Sequence, residues 1–173
     1  MLNDKQLDRY ADVLLWGLKT ARKGKAGKNE IVVIRYDLPA IPLVEVLHKK
    51  LIQMGVHPVQ RLMQTPRMEK NFYTLARKQQ LMFIPPGESE LYQHLNGAIA
   101  VLGPESLTHL GGIDPNKIAQ SLKARKSLRE ILDQREESGL FSWTLGMYPT
   151  AELAEHAGMP VTEYADQIIK ACF

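Results

Sequence analysis

The side chains able to do chemistry in this sequence are scattered, and their spacing excludes more than it offers. His48, His57, His94, His109 and His156 stand apart, without the HExxH, HxxEH or CxxC spacing that sets two metal ligands side by side. Local spacing assigns no metal ligand to the chain. A GxSxG nucleophile elbow, a GxxxxGKS/T phosphate loop and a GxGxxG dinucleotide loop are all missing, so no glycine cradle for a phosphate is present. Cys172 has no neighbouring base and reads as a small packing residue. What is left is a set of polar residues just after apolar, strand-like runs: Arg35, Tyr36 and Asp37, then Glu105, Ser106, Thr108 and His109, then Tyr148 and Thr150. Open parallel sheets bind ligands outside the carboxyl ends of their strands. Arg35, Tyr36, Asp37, Glu105, Ser106, His109 and Tyr148 therefore form a candidate rim facing a ligand or another domain. Ordinary loop chemistry competes with that reading, with Asp37 capping the helix that begins near Pro39 and Tyr148 packed with its hydroxyl in water.

The elements that must carry this rim follow from periodicity. Leu7, Tyr10, Ala11, Leu14, Leu18 and Ala21 recur at helical spacing behind Asn3, with Gln6 placed to complete a capping box. Ile31 to Ile34 is a β-branched strand, and Leu43, Val46, Leu47, Leu51 and Met54 form a helix closed by Gly55. The unit then repeats. Val59 to Met63 is a weaker strand, Thr65-Pro66 opens a helix with Met68, Phe72, Leu75 and Ala76, and Leu81 to Ile84 is a third strand. A short helix over Glu88 to Leu95 precedes a fourth strand, Gly97 to Leu102, and Asp114-Pro115 opens one long helix through Ile118, Leu122, Arg125, Leu128 and Leu132. Phe141 to Tyr148 is a fifth strand, followed by a helix ended by Gly158 and a last one after Thr162. Strands that alternate with helices and read as continuous apolar runs predict an α/β fold: a three-layer, mainly parallel five-stranded sheet with helices on both faces, flavodoxin-like.

Composition agrees with one folded domain over residues 1–173, since 45% of residues are hydrophobic and prolines and glycines are scattered singly. One cysteine, no signal-like amino terminus and no apolar run of about 20 residues predict a soluble, cytoplasmic chain without a membrane partner. The charge, 22 Lys+Arg against 19 Asp+Glu, is only +3. Lys19 to Lys28 packs five cations into ten residues, but no aromatic residue interleaves them. It reads as a solvated helix end stopped by Gly24 and Gly27, and no nucleic-acid partner is expected.

The segments KQLDRYADVLLWGLKT (5–20), VVIRYDLPAIPLVEVL (32–47), FIPPGESELYQHLNGAIAVLGPESLTHL (83–110), FSWTLGMYPTAELAEHAGM (141–159) and EYADQIIKACF (163–173), in this order, resemble the amino-terminal half of the thermophilic metallo-aminopeptidases, the group of aminopeptidases T, S and II. The resemblance runs the length of the chain. It implies an amino-terminal domain that helps form a peptide-substrate chamber and a homodimer, with a carboxy-terminal catalytic domain as its partner. It also implies two divalent metal ions, zinc, cobalt or similar, in the full-length enzyme, held by Glu, His and Asp residues of that other domain. No catalytic or metal-ligating residue carries over to this chain, which is expected to be inactive alone. One departure is Pro160, where a polar cap such as Ser is expected before the last helix. A free-standing small-ligand or protein-binding module without catalysis is the alternative.

Overall fold

Chain order begins with a capping box. The Asn3 side chain accepts from the Gln6 amide at 3.0 Å while the Gln6 side chain accepts from the Asn3 amide at 2.9 Å, satisfying amides that the first turn of a helix leaves free. The computed structural model describes residues 2–22 and 27–173. In it α1 (Asp4–Ala21) is followed by β1 (Ile31–Tyr36), α2 (Ile41–Gln53), β2 (His57–Leu62), α3 (Pro66–Leu75), α4 (Lys78–Leu81), α5 (Glu88–His94) and β3 (Gly97–Leu102). Then come α6 (Pro115–Ala124), α7 (Lys126–Glu137), β4 (Ser142–Met147), α8 (Ala151–His156) and α9 (Val161–Cys172). The stop expected at Gly24 lies outside the described residues; α1 ends at Ala21 with Arg22 as its cap.

The strands pair in parallel in the order β2-β1-β3-β4. This is the α/β arrangement expected, with four strands among the described residues instead of five. The segment Leu81 to Ile84 is not a strand. Leu81 ends α4 and is 2% exposed, whereas Met82 and Phe83 are 49% and 59% exposed. Four apolar residues in a row cannot by themselves distinguish a strand from the end of a helix, and here one side chain does the burying.

Alternation along the central strands explains the three layers. Val32 and Ile34 of β1 and Ile99 and Val101 of β3 join the main core with Leu7, Tyr10, Leu14 and Leu18 of α1, Leu43, Leu47 and Leu51 of α2 and Ala165 of α9. Val33, one residue out of step, packs on the opposite face with Tyr92 and Leu95 and with Leu128 of α7. At β4 the helix layer comes very close. A Cβ on Gly146 would lie 2.7 Å from the Tyr10 hydroxyl, which donates to the Met147 carbonyl at 2.9 Å. Tyr10 is buried there, which pushes its phenol up to about 12.

The helix expected from Asp114 onward is two helices that meet at Arg125. The two halves serve different clusters. Ile118 of α6 packs on a small satellite core of Tyr73, Ala76 and Leu81, whereas Leu128, Ile131 and Leu132 of α7 cover the sheet. Leu122, just before the break, is exposed. Pro160 stands at the start of α9 and supplies no side-chain cap; its missing N–H is no loss at that position.

Behind α1 lies a buried ion pair. The Arg22 guanidinium donates to both carboxylate oxygens of Glu30, at 2.9 and 2.6 Å, and through Nε to the Ser142 hydroxyl at 3.1 Å. Ser142 in turn donates to the Leu18 carbonyl at 2.8 Å, so the end of α1, the approach to β1 and the first residue of β4 share one network.

Candidate functional site

The chain changes direction between β1 and β3: β2 lies on one side of β1, and the next strand in sequence, β3, on the other. At such a switch the loops leaving the two strands separate and open a crevice at their carboxyl ends. A cavity of about 620 Å3 occupies that place. Its walls come from the ends of all three strands on this side. Arg35, Asp37 and Leu38 follow or end β1, Met63, Gln64 and Thr65 follow β2, and Pro104, Glu105 and Ser106 follow β3.

Five of the seven rim residues line this cavity, namely Arg35, Asp37, Glu105, Ser106 and His109. Tyr36 and Tyr148 do not. Tyr36 shares the face of Ile34 and packs against the main core, and Tyr148 is buried within it. Burial holds the Tyr148 phenol above its ordinary range. Arg35 is on the Val33 face, half-buried, and hydrogen-bonds the Tyr92 hydroxyl with its guanidinium 5.5 Å from the Tyr92 ring centroid.

Asp37 occupies the cap position of the short 3-10 turn Leu38–Ala40 but gives that turn no side-chain bond. Its carboxylate instead accepts from the Gly103 amide at 2.8 Å, tying the end of β1 to the end of β3. Burial raises its pKa, the Gly103 hydrogen bond partly offsets that, and the nearby Glu69 charge adds to it. His109 is fixed from both ends: Nδ1 lies 3.0 Å from the Ser106 carbonyl and Nε2 lies 2.7 Å from Glu69 Oε2. Thr150, also a strand-end residue, caps α8 by accepting from the Leu153 amide and donates to the Pro104 carbonyl at 2.8 Å. It joins the loops after β3 and β4 from outside the cavity.

Several wall residues escape a reading of strand ends. Glu69 enters because Thr65 caps α3, its hydroxyl accepting from the Met68 amide, and turns the first turn of that helix toward the crevice. The Thr65-Pro66 signal and the rule about strand ends together point to this wall once His57–Leu62 counts as a full strand. Arg61 pairs with Glu88 at 3.1 Å. Tyr92 comes from α5 and Arg125 from the break between α6 and α7, and no local motif marks either one.

Among the described residues no three His, Cys, Asp or Glu side chains converge as a metal site. His109 also has both ring nitrogens turned to oxygen partners, so the cavity residues do not fit a divalent ion. No helix among the described residues is long and apolar enough to cross a membrane.

No curated protein matches this chain closely enough to carry an argument. Its fold is similar to that of a solved structure, wild-type AmpT from Thermus thermophilus, with a TM-score of 0.66 at 18% sequence identity. The likeness covers 97% of this chain but only 42% of the AmpT chain, so this chain spans less than half the length of that protein. The sequence pattern of the thermophilic metalloprotease family (M29) matches residues 3–173, and the chain belongs to that family.

Proposed function

We propose that this chain acts as the amino-terminal, non-catalytic domain of a metal-dependent aminopeptidase that removes amino-terminal residues from peptides. The observation that carries this reading is the match of the metalloprotease family over residues 3–173 combined with a fold that accounts for 42% of a longer relative. Metal chemistry then belongs to a carboxy-terminal catalytic domain, which would hold two divalent ions and activate water for attack on the peptide carbonyl. This domain's part is to wall the substrate chamber and help build a homodimer in the cytoplasm. Arg35, Asp37, Glu105, Ser106 and His109, the rim residues that line the cavity, are those through which it would face substrate or partner domain, with Tyr36 and Tyr148 packed behind them in the core. Met68 and Leu75 are exposed apolar side chains of α3 that a partner domain would cover.

The test compares hydrolysis of an aminoacyl anilide by the 173-residue chain and by the same chain joined to an M29 catalytic domain, each with added zinc, cobalt or manganese. The isolated chain is expected to be inactive and the joined protein active. Metal-dependent turnover by the pure isolated chain would overturn the reading. The cavity itself favours a second reading, a free-standing ligand-binding module; a gene that stops after Phe173 and a joined protein without activity would favour it.

A further inference from the structure

We propose that the cavity at the carboxyl ends of β1, β2 and β3 binds a small organic anion, its charged group held by Arg35 with Arg125 at the mouth and its apolar body laid on the accessible wall residues Leu38 and Leu91. The proposal concerns this chain alone and does not rest on the peptidase reading.

Charge pairing isolates the two arginines. The cavity wall carries Arg35, Arg61, Arg125 and His109 against Asp37, Glu69, Glu88 and Glu105. Arg61 is neutralised by Glu88 and His109 meets Glu69, while Asp37 is engaged by the Gly103 amide. Glu105 is exposed at the rim. Arg35 has no carboxylate partner among the described residues, although it is half-buried on the sheet; its polar contact is the neutral Tyr92 hydroxyl. A half-buried guanidinium with no counter-charge within ion-pair reach among the described residues leaves a place for a ligand anion. The guanidinium has five N–H donors in a planar fork, so donors remain for a bidentate carboxylate or phosphate.

Space and walls agree with an organic ligand. Directly across from Arg35 in the β1–β3 register stands Ala100, which sets only a methyl group beside it. Val33, two residues before Arg35 on the same face, and Leu95 are packed in the core beneath the cavity, while Leu38 and Leu91 give its wall accessible apolar surface. The volume, about 620 Å3, suits a small molecule. Arg125 is exposed at the α6–α7 break, where its Nη1 donates to the carbonyl and hydroxyl of Ser121, and it too has no carboxylate partner among the described residues.

The test is calorimetric titration of the chain with N-acetyl-leucine, with its neutral amide, and with inorganic phosphate. N-acetyl-leucine should bind in the millimolar range and its amide at least about tenfold more weakly. Arg35→Gln should weaken binding roughly ten- to a hundredfold, and Arg35→Lys less, because the charge survives without the fork. Phosphate that displaces N-acetyl-leucine assigns the site to phosphate-bearing ligands, and failure to displace it assigns the site to carboxylates. The proposal is overturned if acid and amide bind alike, if neither acid nor phosphate binds at about 10 mM, or if Arg35→Gln binds as the wild type does. Should Arg35→Gln fail to unfold cooperatively, Arg125→Gln replaces it: several-fold weaker binding with an unchanged thermal midpoint supports the site, and unchanged binding overturns it.

Discussion

Replacing Glu30 by Ala removes both carboxylate oxygens from a guanidinium whose side chain is only 3% exposed. Among the described residues Arg22 would keep a single neutral side-chain partner, the Ser142 hydroxyl, and that hydroxyl already donates to Leu18. Breaking one side of a buried pair costs about 3–5 kcal/mol, because the other charge stays desolvated. In a domain of this size each kcal/mol moves the midpoint by roughly 2–4 °C, which gives a fall of about 6–20 °C for Glu30→Ala. The pair itself stabilises much less than that, since forming it requires desolvating two ions. Arg22→Met combined with Glu30→Leu should therefore recover most of the loss, a pattern visible in a double-mutant cycle by thermal or urea unfolding. A loss below about 1 kcal/mol for Glu30→Ala, the value of a solvated surface pair, would refute the argument that this network is buried and shared by α1, β1 and β4.

Asp37 takes up a proton more readily in the folded chain, so its contribution is fullest below its ordinary value of 3.8 and is lost as pH rises through the higher folded value. Asp37→Asn keeps an acceptor for the Gly103 amide, and its midpoint at neutral pH should equal or exceed that of the wild type. This advantage should shrink on acidification; a gap that does not change with pH would contradict the sign. Gly146→Ala places a Cβ 2.7 Å from the Tyr10 hydroxyl and should destabilise by about 1–3 kcal/mol in urea unfolding, with partial rescue by Tyr10→Phe. A neutral Gly146→Ala would mean that α1 can lift from β4 at no cost. The Tyr10 phenol, raised to about 12 from 10.0, should cost stability as pH climbs from the lower value to the higher one. Tyr10→Phe should flatten that alkaline decline, as followed by circular dichroism.

The sheet was legible where a strand is buried on both faces. Ile31-Val32-Val33-Ile34 and Gly97 to Leu102 read directly as strands because every residue must suit an apolar neighbour on one face or the other. The edge strand His57–Leu62 gave a weaker signal since its outer residues are exposed, and Leu81 to Ile84 misled for the opposite reason, an apolar run that buries chiefly Leu81. The break at Arg125 was hidden because Ile118 and Leu128 keep an unbroken helical spacing while packing in separate clusters. For the site, strand ends located Arg35, Asp37, Glu105, Ser106 and His109 on one cavity, since that rule depends only on topology. Tyr36 departs through side-chain alternation and Tyr148 through burial. Tyr92 and Arg125 reach the cavity only by tertiary packing of helices, which no local pattern encodes.

The satellite core of Tyr73, Ala76 and Leu81, packed with Phe72, Leu110, Ile113 and Ile118, is separate from the two clusters that hold the sheet. A layer with its own small core can open as a unit at a free energy well below global unfolding. Amide exchange would then divide the molecule. Val33 and Ile34, paired on both sides within the sheet, are released only when the whole fold opens, and the amides of α3 are released earlier. Thr65, Pro66 and Glu69 begin α3 and also wall the cavity, so if α3 opens first, access past them would depend on that local equilibrium as well as on the width of the mouth. A ligand that touches both this wall and Arg35 would bind the closed form alone, and would slow exchange in α3 by a factor of one plus the ratio of free ligand concentration to Kd.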